Sequence, residues 1–233
     1  MYFLGIESAT DACSVVLYKN EQLIDIEYTE KPKTHSQYLT TFIEHLLQRN
    51  RILVEQLSAI AVSAGPGSFT GLRIGMSTAK GMAYALDIPL ILIPSTTVAA
   101  YSGLEYLSKC SAIVAGIVDA PYQEIYMQFF ELKNNELIPC NDPKHFVVSH
   151  DTLLPYLEQN KTLYLIGKGA DKVKSYYKDN FEVVAIETEQ NMKNLGNWLL
   201  DAYHAKNFAD LDLAQPLYIR EFIPTVRPKK SAI

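Results

Sequence analysis

Ser63-Ala-Gly-Pro-Gly-Ser-Phe-Thr-Gly-Leu-Arg-Ile-Gly75 joins a strand end, a glycine turn and a helix start within thirteen residues. Just upstream, Leu57-Ser-Ala-Ile-Ala-Val-Ser63 is a short, mostly apolar run of the kind that forms a buried strand. Gly65 and Gly67 supply backbone freedom on either side of Pro66, whose φ is fixed by its ring. Ser68 or Thr70 is then placed to cap a helix running to about residue 86. A strand, a glycine turn and a helix N-terminus together form an anion cradle, because free backbone N–H groups converge there. The spacing is not that of a P-loop, which has Lys and Ser or Thr after its last glycine, nor the three spaced glycines of a dinucleotide site.

Strands and helices alternate on both sides of this turn. Residues 2–6, 14–18 and 23–29 read as three strands, and Lys19-Asn20-Glu21 makes a hairpin of the last two. Residues 35–49 carry Tyr38, Leu39, Phe42, Ile43, Leu46 and Leu47 in one helical stripe, ahead of the strand at 58–63 and the helix over 70–86. A short strand at 90–93 leads to Ser95, which is positioned to cap a helix ending near residue 107. The pattern then restarts with strands at 111–118, 124–132 and 137–140, the last two joined by Lys133-Asn134-Asn135. A strand at 163–166 and a helix over 191–206 complete it. This order predicts an α/β protein with an N-terminal lobe over 1–108, a second lobe over 109–213 and a C-terminal segment over 214–233.

With 233 residues, 48% of them apolar, the chain suffices for one large core or two small ones. Cys13, Cys110 and Cys140 are odd in number and widely spaced, which argues against a disulfide framework and against paired-cysteine zinc ligation. Glu7 follows an N-terminus without a basic start, and no apolar run approaches the length of about 18 residues expected of a membrane span. A cytoplasmic protein with no membrane association is expected. The formal charge is −5, with Lys and Arg scattered. Tight nucleic-acid binding rests on several phosphate contacts from basic side chains, so an acidic chain is poorly suited to hold RNA unaided. The one basic cluster, Arg227-Pro-Lys-Lys230, reads as a solvated tail.

The residues give little support to a metal or a nucleophile, and no cofactor is expected. His35 and His45 lie ten apart, His145 and His150 five apart, and His204 stands alone, whereas helical metal ligands recur within one turn. Ser63, Ser68 and Ser95 lack a nucleophile elbow, and no cysteine sits in a Cys-His context.

Together with Gly5-Ile-Glu-Ser-Ala-Thr10 and Ala12-Cys-Ser-Val-Val-Leu17, the glycine-turn segment resembles the TsaB (YeaZ) family of bacterial tRNA-modification subunits. The likeness continues in order through Ile117-Val-Asp-Ala120, Glu124-Ile-Tyr126, Gly167-Lys-Gly-Ala170 and Pro216-Leu-Tyr-Ile-Arg220. It implies the actin-like ASKHA fold, of the ribonuclease H-like kind, with a mixed sheet flanked by helices in each lobe and a last segment able to return to the first lobe. It further implies a non-catalytic scaffold and activator of the transferase TsaD, which makes threonylcarbamoyladenosine beside the anticodon of certain tRNAs. ASKHA phosphotransferases hold phosphates between two hairpins and place a carboxylate to orient Mg²⁺. The matching positions here are Glu7, Ser8 and Thr10 in the first hairpin, Asp119 with Ala120 in the second, and Gly167 and Gly169 where relatives meet adenosine. The family more often has an acid one methylene shorter than Glu7, and on their own these residues serve equally well to close turns. TsaD carries two metal-binding histidines just after the strand matching 90–93, and Thr96 and Ala100 stand at those positions.

The remaining signal is a surface. Along the helix over 70–86, Arg73, Ser77, Lys80 and Tyr84 form one polar line, apolar residues fill the other faces, and Gly71, Gly75 and Thr78 lie along one edge. By pattern alone, such a helix and its neighbour over 35–49 serve either the chain's own core or a four-helix contact with a partner. The resemblance implies the partner: TsaD, or a second copy of the chain when TsaD is absent, with TsaE joining the assembly and tRNA reached through it. The candidate interface is therefore Tyr38, Phe42, Leu46, Gly71, Leu72, Gly75, Met76, Thr78, Ala79 and Met82. A bulky charge at Gly75 is expected to break the heterodimer and spare the fold. Two alternatives stand beside this reading: an ATPase or small-molecule kinase of the same fold using Glu7 and Asp119, and a homodimeric structural module unrelated to tRNA.

Overall fold

The computed structural model describes residues 1–29, 31, 35–107, 112–134, 136–153, 162–177 and 183–219. The period of two along each strand decides the layers. In β1 (Tyr2–Glu7), Leu4 and Ile6 face one core and Phe3 the other. β4 (Leu57–Gly65) divides likewise, with Ile60 and Val62 on the first side and Ala59 and Ala61 on the second. These strands join β2 (Cys13–Lys19), β3 (Gln22–Thr29) and β5 (Leu90–Pro94) in a five-stranded sheet of order β3-β2-β1-β4-β5. β1 runs antiparallel to β2 and parallel to β4, so the hairpin lies on one side of β1 and the helix-connected strands on the other.

The second sheet repeats the theme. β6 (Ala112–Asp119), β7 (Glu124–Lys133) and β8 (Glu136–Pro139) form an antiparallel run, with β10 (Leu163–Ile166) and β11 (Val183–Ile186) added in parallel. The order is β11-β10-β6-β7-β8, and β9 (Lys144–Val147) also pairs with β7.

Helices cover the outer faces and fill the space between the sheets. α1 (His35–Arg49) and α2 (Phe69–Leu86) pack outside the first sheet, and α4 (Ala170–Lys174) outside the second. α3 (Ser95–Ser102) lies between the two sheets with all eight residues buried. A Cβ at Gly116 of β6 would collide with the Thr96 carbonyl, so its absence lets α3 sit directly on the second sheet. α5 (Gly196–His204) adds Leu199 and Ala202 to the same central core.

Some expected elements are corrected. Ser95 does not cap α3, which ends at Ser102, short of residue 107; its Oγ lies 2.7 Å from Ser63 Oγ instead. The helix expected over 191–206 begins at Gly196, because the preceding run is held elsewhere. Tyr18 Oη donates to the Met192 carbonyl at 2.5 Å and accepts from the Leu195 N–H at 3.1 Å. β9, β11 and α4 were not expected, being four or five residues long and without a clear period. Cys110, Ser111, Asn135, Arg220 and the basic cluster at 227–230 lie outside the described residues.

Residues 209–218 run against the first sheet and α2. The Ala209 N–H donates to the Leu90 carbonyl at 2.8 Å, Lys80 Nζ to the Ala214 carbonyl at 2.9 Å and the Leu217 N–H to the Ala64 carbonyl at 2.6 Å. Gly65 sits at φ 112°, where only glycine is unstrained, and its bare Cα makes room for the Leu217 carbonyl. No helix among the described residues is long and apolar enough to cross a membrane.

Candidate functional site

The first hairpin position is a closed polar cluster. Glu7 at the end of β1 is wholly buried, and its Oε1 accepts from the Ala9 N–H at 2.6 Å. Its Oε2 accepts from Gln190 Nε2 at 3.0 Å, and the Ser63 hydroxyl donates to the same carboxylate. Burial outweighs these donors and pushes the Glu7 pKa up to about 7. Ser8 turns away, donating to the Gly71 carbonyl at 3.0 Å, and Thr10 Oγ1 is buried with no hydrogen-bond partner among the described residues. The anion cradle expected at the glycine turn is largely filled by the chain itself. The Ser68 N–H donates to the Ala9 carbonyl at 2.6 Å, and the Gly71 N–H to Ser68 Oγ at 3.3 Å, which makes Ser68 the cap of α2.

The second hairpin position carries its own counter-ion. Asp119 Oδ1 lies 2.5 Å from Lys172 Nζ, which also donates to the carbonyls of Ala120 at 3.0 Å and Glu124 at 3.3 Å. Lys172 thus occupies a seat formed by three oxygens, the place a cation would take beside this carboxylate. Gly169 packs against Asp119, and Gly167 against the Ile117 carbonyl, so both glycines allow close approach of the two segments. Sequence reasoning missed Gln190 and Lys172, and it weighed Ser63 and Ser95 only as nucleophiles, not as neighbours of this cluster. Gln190 lies 183 positions from Glu7 and Lys172 53 from Asp119, and no local pattern marks either pairing.

A family model described as TsaD: tRNA N6-adenosine threonylcarbamoyltransferase matches residues 21–212. The chain is 36% identical over 124 residues to the tRNA threonylcarbamoyladenosine biosynthesis protein TsaB of Haemophilus influenzae, covering 53% of this chain and 51% of that one. It is 27% identical over 179 residues to the TsaB of Bacillus subtilis, covering 77% and 76%. The structure superposes on YeaZ from Pseudomonas aeruginosa with a TM-score of 0.81 at 22% identity, over 93% of this chain and 99% of that one. The chain belongs to the TsaB (YeaZ) family. The chain spans about half the length of the Haemophilus influenzae relative. The fold is the actin-like ASKHA fold of that family.

In this TsaB-family chain the two positions matched to the transferase histidines lie inside α3. Thr96 Oγ1 donates to Gln128 Oε1 at 2.8 Å, and Ala100 packs against Gly116 of β6. Neither side chain reaches solvent.

The candidate interface divides into two sets. Leu46, Leu72, Met76 and Ala79 point into the chain's own core, and Gly71 and Gly75 are buried against Ser8. They are removed from the surface because α1 and α2 lie flat on the sheet, which turns those helical positions inward. A Cβ at Gly75 would collide with Ser8 Oγ, so a bulky charge there breaks the fold rather than sparing it. Tyr38, Phe42, Thr78 and Met82 remain partly exposed, with the Tyr38 and Phe42 rings stacked at 5.6 Å. Beside them α2 turns out Phe69, Arg73, Ser77, Gly81 and Tyr84, with the Arg73 guanidinium 3.9 Å from the Phe69 ring centroid. Gly81 has open space where a side chain would stand.

Proposed function

We propose that this chain is a non-catalytic scaffold and activator in the synthesis of threonylcarbamoyladenosine in tRNA. It acts by binding TsaD, which transfers the threonylcarbamoyl group to the adenosine beside the anticodon. The observation that carries this reading is the state of α3: the positions matched to the transferase histidines hold a threonine committed to Gln128 and an alanine against a sheet backbone, and neither supplies a metal ligand. The docking surface is the outer face of α1 and α2 around Tyr38, Phe42, Thr78 and Met82, with Gly81 and Tyr84 at its edge. TsaE joins the assembly, tRNA is held mainly by the partners because the chain carries a formal −5, and a second copy takes the same surface when TsaD is absent. An ATPase or kinase built on Glu7 and Asp119 gains no support from a carboxyl enclosed by protein donors and another paired to Lys172.

The test is threonylcarbamoyl transfer to tRNA by purified TsaD, TsaC and TsaE with the wild-type chain, without it, or with Gly81→Arg. Transfer is expected to require the chain. Gly81→Arg is expected to abolish co-elution with TsaD while leaving the circular dichroism unchanged. Transfer that is indifferent to the chain overturns the activator role, and turnover by the chain alone restores a catalytic one.

A further inference from the structure

The outer edge of α2 holds one cation in place with no counter-ion among the described residues. The Arg73 guanidinium lies 3.9 Å from the Phe69 ring centroid, and its Nε donates to Tyr218 Oη at 3.2 Å. The Phe69 and Tyr218 rings stand 5.5 Å apart, so two aromatic side chains fix the guanidinium from two sides. Tyr218 is anchored in turn one residue away, where the Leu217 N–H donates to the Ala64 carbonyl at 2.6 Å. The two terminal nitrogens of Arg73 donate to nothing among the described residues. Arg49, by contrast, holds both Asp25 and Glu27. A stacked guanidinium has already given up much of its side-chain freedom, and its free edge is a fork matched to a carboxylate.

Beside this cation lies an apolar groove of about 450 Å³. Ala64, Leu92 and Pro94 from β4 and β5 line one side, and Pro216, Leu217 and Tyr218 the other. Phe69 and Tyr218 are 53% and 46% exposed, enough for a partner to cover both rings. Tyr218 belongs to the groove and to the seat of Arg73, so the two features are continuous. Exposed aromatic rings and an arginine next to an apolar pocket are the usual anchors of a protein interface. RNA fits the place poorly, because phosphate recognition rests on several cations. The other cation of α2, Lys80, is committed to the Ala214 carbonyl at 2.9 Å.

We propose that Arg73 is the charged anchor of the docking surface, receiving a carboxylate of the partner protein while an apolar side chain beside that carboxylate enters the groove. This carries the surface on α1 and α2 toward the N-terminal end of α2, and it rests on the reading that the chain docks to TsaD.

Calorimetric titration of purified TsaD into the full chain, at low and at moderate salt, tests this. Arg73→Ala is expected to weaken binding about thirtyfold, and Arg73→Lys about tenfold, since an ammonium keeps the charge and loses the fork. Added salt is expected to weaken the wild type more than Arg73→Ala, a difference that a merely structural role would not produce. Tyr218→Phe keeps the ring and removes the oxygen that orients Arg73, so it is expected to weaken binding about threefold with an unchanged thermal midpoint. Should Arg73→Ala disturb the fold, Tyr218→Phe carries the comparison. Equal affinity of the wild type, Arg73→Ala and Tyr218→Phe, with Gly81→Arg still abolishing binding, overturns the anchor and leaves the proposed function standing. No binding of TsaD by the wild type overturns both. Unchanged TsaD affinity of Arg73→Ala together with weaker tRNA retention by the assembled complex gives the guanidinium to a phosphate and overturns the proposal.

Discussion

Glu7 illustrates what a single enclosed carboxyl does to stability. Its pKa stands at about 7 in the folded protein against its ordinary 4.5, mainly because burial disfavours the charged form. The folded state therefore binds the Glu7 proton more tightly than the unfolded chain. The stability this adds is fully present below pH 4.5 and is lost as the pH rises through about 7. The gap corresponds to about 3 kcal/mol as an upper figure. Glu7→Gln keeps an oxygen for the Ala9 N–H and removes the titration. Urea unfolding should show the variant more stable than the wild type at about pH 8 and flatter in the acid range; parallel profiles would show that Glu7 is not the responsible group. The residue itself became a candidate through the family resemblance. Its enclosure was not legible, because Gln190 and Ser63 arrive from other elements.

At the scale of the element, α2 sets two glycines in contrast. Gly75 faces Ser8, and Gly81 faces open space. Gly81→Ala should stabilise the protein by about 0.5–1 kcal/mol, since glycine in a helix interior loses more backbone entropy than alanine. Gly75→Ala should destabilise it by roughly 1–3 kcal/mol through overpacking, and Ser8→Ala in the same chain should recover most of that loss. Denaturant midpoints of the two single variants and the double variant check both statements; strict additivity of Ser8→Ala and Gly75→Ala would remove the proposed clash. The sequence marked α2 as a helix and Ser68 as one of two caps. It did not say which way the helix faces, because α2 is apolar or small around most of its circumference, and local periodicity then admits two orientations.

Across the whole molecule, the two sheets share one core through α3. Phe3, Val16 and Ala61 from the first sheet and Val114, Phe130 and Ile166 from the second belong to one continuous cluster with Val98 and Ala100. Two sheets coupled in this way should melt as one. Calorimetry is expected to give a single transition whose calorimetric and van't Hoff enthalpies agree, and Val98→Ala should lower its stability by about 2 kcal/mol without splitting it. Two resolved transitions would mean that the lobes unfold independently.

What the sequence determined by itself is the local grammar: the strand and helix order, the glycine turn and the motifs that mark the family. Each depends on neighbours a few residues away, and the period of two or the helical stripe makes it readable. The tertiary structure alone decided which side of α2 is covered and that Ser95 pairs with Ser63 rather than capping α3. It also decided that Lys172 neutralises Asp119 and that Gln190 closes over Glu7. These contacts join residues 53 and 183 positions apart, and only the packing of two sheets around one buried helix brings them within hydrogen-bonding distance.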